Sequence, residues 1–176
     1  MLKVIEAIKF AERHHRGQER KGSGLPYVTH PVAVSYLLAK YKVSRHLEDL
    51  IIAAILHDIF EDTKVTFSHV QRRFGPLVAS LVLELTNDPE QIALLGKLEY
   101  QTRKLIGISS WALVVKLVDR LHNISDRPSA RMVTDTIQML TTLRERRRLS
   151  GTHKRIVADI LALCEQSRVS KLAVAS

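Results

Sequence analysis

The sequence predicts an all-α protein, and three observations carry that expectation. Most segments repeat their apolar residues every three or four positions, aromatic residues make up only 5% of the chain, and no hairpin dipeptide such as Asn-Gly occurs. At 176 residues the chain fits one domain, 1–176, whose core stands without staples. A compact bundle of about eight to ten helices joined by short connections is expected.

The first helix covers roughly Leu2 to His15, where Ile5, Ile8 and Ala11 or Glu12 trace a stripe. It ends in a loop from Gly17 to Thr29 that holds Gly22, Gly24 and Pro26. His30-Pro31 opens the second helix, proline being suited to a first helical turn, and this helix runs to about Tyr41. A third follows from about Arg45 to Asp62. Its stretch Leu50-Ile51-Ile52-Ala53-Ala54-Ile55-Leu56 is apolar all round, which marks a helix enclosed by others. Thr66 to Phe74 comes next, with Ser68 or Thr66 as its cap, and then Pro76 to Leu85 before the breaker Asn87-Asp88-Pro89. The remaining helical periodicity falls at roughly Gln91 to Ile106, Trp111 to Ile124, Met132 to Arg148 and Thr152 to Val169.

Hydrophobic content of 45% and charged content of 26% are ordinary for a soluble globular protein. The longest apolar run, Leu50 to Leu56, is too short to cross a bilayer, so no membrane partner is expected. The N-terminus carries Glu6 early and lacks a sustained apolar stretch, so it does not read as a signal peptide and the cytoplasm is the default compartment. Cys164 is the one cysteine; it excludes an internal disulfide and sits in an apolar setting that suits a small buried hydrophobe rather than a reactive thiol. The net charge of +9 points to an anionic partner, and either a phosphate-rich small molecule or a nucleic acid would satisfy it.

The chemistry concentrates in His57-Asp58-Ile59-Phe60-Glu61-Asp62. On one continuous helix His57 and Glu61 are four residues apart, Asp58 and Asp62 likewise, so all four ionisable side chains would crowd one side. Two other apolar segments end in suitable groups, His30 in Tyr27-Val28-Thr29-His30-Pro31 and Asp119 in Lys116-Leu117-Val118-Asp119-Arg120. Two imidazoles and two carboxylates suit a divalent metal of moderate hardness, manganese or iron, better than a thiolate-rich structural zinc site. Such a metal draws the pKa of a water it holds toward neutrality, which beside a bound phosphate gives hydrolysis. Each residue also has a plain structural reading: His30 as a hydrogen-bonding residue before a proline, Asp119 as a partner of Arg120 or Lys116, and the acidic cluster as a solvated helix end.

The succession His15-Arg16-Gly17-Gln18, Arg20-Lys21, Pro26-Tyr27-Val28-Thr29-His30-Pro31, Ala53-Ala54-Ile55-Leu56-His57-Asp58, Glu61-Asp62-Thr63, Phe74-Gly75 and Lys116-Leu117-Val118-Asp119-Arg120-Leu121-His122-Asn123 resembles the HD superfamily of metal-dependent phosphohydrolases. More narrowly it resembles the alarmone hydrolase domain of the RelA/SpoT family, in the form of a stand-alone small hydrolase. The resemblance implies manganese-dependent removal of pyrophosphate from the ribose 3′ position of guanosine tetra- and pentaphosphate, giving GDP or GTP and lowering the stringent-response alarmone. It also implies roles. His30, His57, Asp58 and Asp119 would hold one manganese ion, and Glu61 and Asp62 would orient and deprotonate the attacking water. Arg20 would lie against the guanine ring, Lys21 would favour its polar edge or a phosphate, and Asn123 would contact the ribose or its phosphate.

Lys116, one helical turn before Asp119, is a further candidate substrate contact. The run Arg144-Glu145-Arg146-Arg147-Arg148 reads as a solvated helix end or as a source of field for a polyphosphate substrate. His14, His46, His69 and His153 read as surface or packing residues, and Trp111 as core. Two alternatives compete: an HD-type phosphatase acting on another nucleotide, such as the 2′-phosphate of NADPH or a nucleoside phosphate, and a basic nucleic-acid-binding module with a remnant metal site. The complete His30, His57, Asp58, Glu61, Asp62 and Asp119 set argues against the second, so nucleic acid is not the expected partner. Small helical enzymes of this kind often associate, which leaves a homo-oligomer open.

Overall fold

The computed structural model describes residues 2–20 and 23–175, with side chains of the last helix described up to residue 169. Among these residues there are eleven helices and no strand: α1 (Leu2–His14), α2 (Thr29–Tyr41), α3 (Leu47–Ile55), α4 (Ile59–Asp62), α5 (Phe67–Phe74), α6 (Pro76–Leu85), α7 (Pro89–Leu95), α8 (Lys97–Gly107), α9 (Ser110–Ser125), α10 (Ala130–Arg146) and α11 (Gly151–Ala175). The all-α class is as the sequence predicts. The helix number exceeds the expected range because two of the expected helices are each divided.

The first division matters for function. The helix expected from Arg45 to Asp62 stops at Ile55, and Leu56 and Asp58 leave helical geometry at φ −102°, ψ 6° and φ −104°, ψ 3°. The Ala54 carbonyl, which a continuing helix would bond to the Asp58 N–H, instead accepts from His57 Nδ1 at 2.8 Å. The backbone then tightens, the Ile59 N–H reaching back only three residues to the Leu56 carbonyl at 2.9 Å. His57 and Asp58 therefore sit in a turn rather than on the side of a helix. The second division is at Gly96, whose φ of 79° is open to glycine and strained for other residues; it separates α7 from α8 where one helix from Gln91 was expected.

The contacts gather into two compact units: residues up to Asn87 together with Ser109–Val115, and Asp88–Ile108 together with residues from Lys116 on. In the first, α3 packs against α1, α2 and α6. Leu50, Ile52, Ala53, Ala54 and Ile55 are buried, as the all-round apolar stretch predicts. Thr66 caps α5 in a reciprocal box with His69, so His69 has a capping role. Trp111, expected in the core, is only partly buried and stacks on His46 with ring centroids 4.9 Å apart.

In the second unit α8 packs on α7 and α10, and α10 on α11. Asp88 caps α7 through the Glu90 and Gln91 amides at 2.9 and 3.1 Å, and Ser129 caps α10 through the Met132 amide at 3.1 Å. Cys164 is buried, and burial pushes its thiol above the ordinary range, as expected of an inert residue. Arg147 departs from the solvated-face reading of its basic run. Its Nη1 donates to the Leu105, Ile106 and Ile108 carbonyls at 2.7, 3.0 and 2.7 Å, closing the C-terminal end of α8.

Candidate metal centre and its acid pair

His30 enters α2 through a turn in which the Thr29 and His30 amides donate to the Pro26 and Tyr27 carbonyls, both at 3.0 Å. It is buried, as is His57, and their rings meet edge to face with centroids 5.2 Å apart. The Ala54 carbonyl takes the His57 Nδ1–H, so the lone pair of the neutral ring is left on Nε2. That nitrogen lies 2.9 Å from Asp58 Oδ2. Two lone pairs this close repel unless a proton or a cation stands between them. Asp58 Oδ2 also accepts a short hydrogen bond from the Tyr27 hydroxyl, which orients the carboxylate.

Asp119 lies on α9, and Asn123 one turn later donates to its Oδ1 at 2.7 Å. His30, His57 and Asp119 each offer a ligand atom of a kind that holds a metal ion. Two imidazoles and a carboxylate are a donor set that fits a divalent ion. Asp58 falls outside that group of three but lies against His57 through its Oδ2.

Glu61 and Asp62 close α4 and are exposed, and the broken helix parts their surroundings. Glu61 is held through both carboxylate oxygens by Asn87, whose backbone N–H donates to Oε1 at 2.7 Å and whose Nδ2 donates to Oε2 at 3.0 Å. The Asp62 carboxyl is pushed above the usual aspartate range, first by lost hydration and then by the negative charges of Asp58 and Glu61, with His15 and His57 opposing. Gln18 Nε2 donates to the Asp62 carbonyl at 2.9 Å, and its Oε1 bonds His15 Nδ1 at 2.7 Å. The His15 ring in turn stacks on Tyr27 with centroids 4.8 Å apart.

The Arg20 amide donates to the Leu25 carbonyl at 2.8 Å, next to the bridge between Glu19 and Pro26. Lys21 lies outside the described residues. Lys116, Asp119 and Asn123 follow one another at helical spacing along α9, and Lys116 is partly buried. Tyr27, His15 and Gln18 stand in the stretches that carry the family resemblance but were assigned no role there. Asn87 read only as part of a helix breaker, because nothing local in the sequence ties it to Glu61, 26 positions earlier.

The HD domain family matches residues 7–146. Guanosine-3′,5′-bis(diphosphate) 3′-pyrophosphohydrolase MESH1 of Homo sapiens is 37% identical over 126 residues, which span 70% of this chain and 68% of that protein. Bifunctional (p)ppGpp synthase/hydrolase SpoT of Escherichia coli (strain K12) is 33% identical over 162 residues, 82% of this chain and 22% of that protein. A solved structure described as "A metazoan ortholog of SpoT hydrolyzes ppGpp and plays a role in starvation responses" superposes with a TM-score of 0.79 at 28% identity, covering 94% of this chain and 96% of that one. The gathered histidines and aspartates thus stand in a chain that belongs to the HD domain family and, within it, to the family of the MESH1 3′-pyrophosphohydrolases.

Proposed function

We propose that the protein hydrolyses the 3′-pyrophosphate of guanosine tetra- and pentaphosphate, releasing pyrophosphate and GDP or GTP. The pairing of the buried His30 and His57 rings, with Asp58 Oδ2 2.9 Å from His57 Nε2, carries this reading, supported by relatives whose names state that activity. The match of one family across residues 7–146 supports treating the chain as one HD-type domain.

His30, His57, Asp58 and Asp119 would hold a divalent ion, and manganese is our choice because the donors mix imidazole with hard carboxylate oxygen. When bound, it supplies Lewis acidity toward the phosphoryl oxygens. The rest falls to the chain. Tyr27 fixes the Asp58 carboxylate and the Ala54 carbonyl fixes the His57 tautomer. Glu61 and Asp62 orient the attacking water and take up its proton, a role suited to carboxylates beside the metal ligands. The water oxygen bonds the phosphorus attached to the ribose 3′-oxygen, and the bond from that phosphorus to the 3′-oxygen breaks. The electron pair leaves with the 3′-oxygen, which receives the proton drawn from the water and becomes the ribose hydroxyl. Arg20 and Lys21 are assigned to the guanine, and Lys116 and Asn123 to the ribose and phosphates. An Arg guanidinium over a purine face is worth about 1–3 kcal/mol by analogy with base stacking on aromatics.

The test is to incubate metal-stripped protein plus manganese with guanosine tetraphosphate, NADPH and a deoxynucleoside monophosphate and to identify the products. Pyrophosphate and GDP from the first are expected. Inorganic phosphate in place of pyrophosphate, or turnover of NADPH alone, overturns the proposal.

A further inference from the structure

We infer that Asn87 is a positioning residue for Glu61, acting on turnover through that carboxylate. The inference rests on the reading of Glu61 as a group that handles the attacking water, and it adds a residue outside the His-Asp and Glu-Asp pairs.

Two donors of one residue grip one carboxylate. The Asn87 backbone N–H donates to Glu61 Oε1 at 2.7 Å, and Nδ2 donates to Oε2 at 3.0 Å. One bond leaves a carboxylate free to turn about the bond axis, whereas two bonds to separate oxygens fix its plane. Glu61 is exposed at the end of a helix of four residues, where a long side chain would otherwise sample several rotamers. Asn87 itself is firmly held by the chain on either side. The Thr86 N–H bonds the Val82 and Leu83 carbonyls at 3.0 and 3.2 Å, and Asp88 caps the next helix.

The orientation of the amide is set by chemistry, since turning it over would put Oδ1 against a carboxylate oxygen. In the orientation observed, Oδ1 is buried and makes no hydrogen bond. Leaving a buried acceptor unmatched costs stability, and the gripped carboxylate is exposed, where a polar contact stabilises little. Stability alone therefore gives a weak reason for this arrangement. Holding a reacting group in one geometry gives a better one.

The experiment is a double-mutant cycle on the manganese-loaded full chain with guanosine tetraphosphate, using Asn87→Ala, Asn87→Asp, Glu61→Ala and Glu61→Ala/Asn87→Ala. Metal content and melting temperature are recorded for each. Asn87→Ala is expected to lower kcat about 10- to 100-fold with KM within about threefold. Asn87→Asp fills the same space without the Nδ2 donor and should be at least as slow, whereas a space-filling role would be rescued by it. In the Glu61→Ala background the Asn87 change should be silent within about twofold.

Additive losses in the double variant, or near wild-type kcat in Asn87→Asp, overturn the inference. If Glu61→Ala is slow while Asn87→Ala is not, only the role of Asn87 falls. If Glu61→Ala turns over at the wild-type rate, the assignment of Glu61 to the water falls, and that of Asn87 with it.

Discussion

Asp62 carries two opposed demands in one side chain. Its carboxyl binds a proton more tightly in the folded protein than in the unfolded chain, because lost hydration and the charges of Asp58 and Glu61 disfavour the anion. Its contribution to stability is therefore greatest below the unfolded pKa and is lost as pH rises through the folded one. With metal removed, Asp62→Asn should raise the melting temperature at neutral pH, and the gain should vanish in acid; thermal unfolding across pH checks the sign. The same variant should lose about 100- to 10,000-fold in kcat, as should Glu61→Gln, while both keep their metal. Asp58→Ala and His57→Ala should instead lose metal as well as rate, which metal content per chain after gel filtration would show. Of these residues, the candidate metal ligands stood out only because stretches far apart in sequence share a family order; spacing alone left each with an ordinary structural explanation.

At the scale of elements, apolar periodicity located the helices well, since burial of a stripe is what both the pattern and the helix express. The divisions were less legible for physical reasons. Leu56-His57-Asp58 contains neither glycine nor proline, and the interruption arises from a side chain capturing a main-chain acceptor. Gly96 was visible but sits inside a stretch whose periodicity continues on both sides. Arg147 illustrates the reverse: a run of charge suggested solvent, and one member closes the end of another helix about forty positions earlier. Arg147→Met should cost about 2–3 kcal/mol, the order expected when a charged donor with several carbonyl partners is removed, read as a shift of the urea midpoint at unchanged slope. Arg147→Lys should recover little of it, because a compact ammonium lacks the planar fork.

For the whole molecule, the net charge of +9 acts on encounter rather than on chemistry. Raising ionic strength should lower kcat/KM for a polyphosphate substrate several-fold and leave kcat nearly unchanged, a split that steady-state kinetics at two salt concentrations resolves. Loading the centre should also raise the melting temperature, and a chelator should reverse the gain. Net charge and helical class were plain in the sequence, whereas the partnership of Glu61 with Asn87 was not, because it is made by the fold alone. The Ala54 carbonyl has a further consequence for how this chain can change over generations. The tautomer of His57 is dictated by a main-chain oxygen, and every residue type possesses one. No point mutation at position 54 can delete that acceptor, so the protonation pattern of the imidazole is sheltered from side-chain drift as long as the turn itself survives.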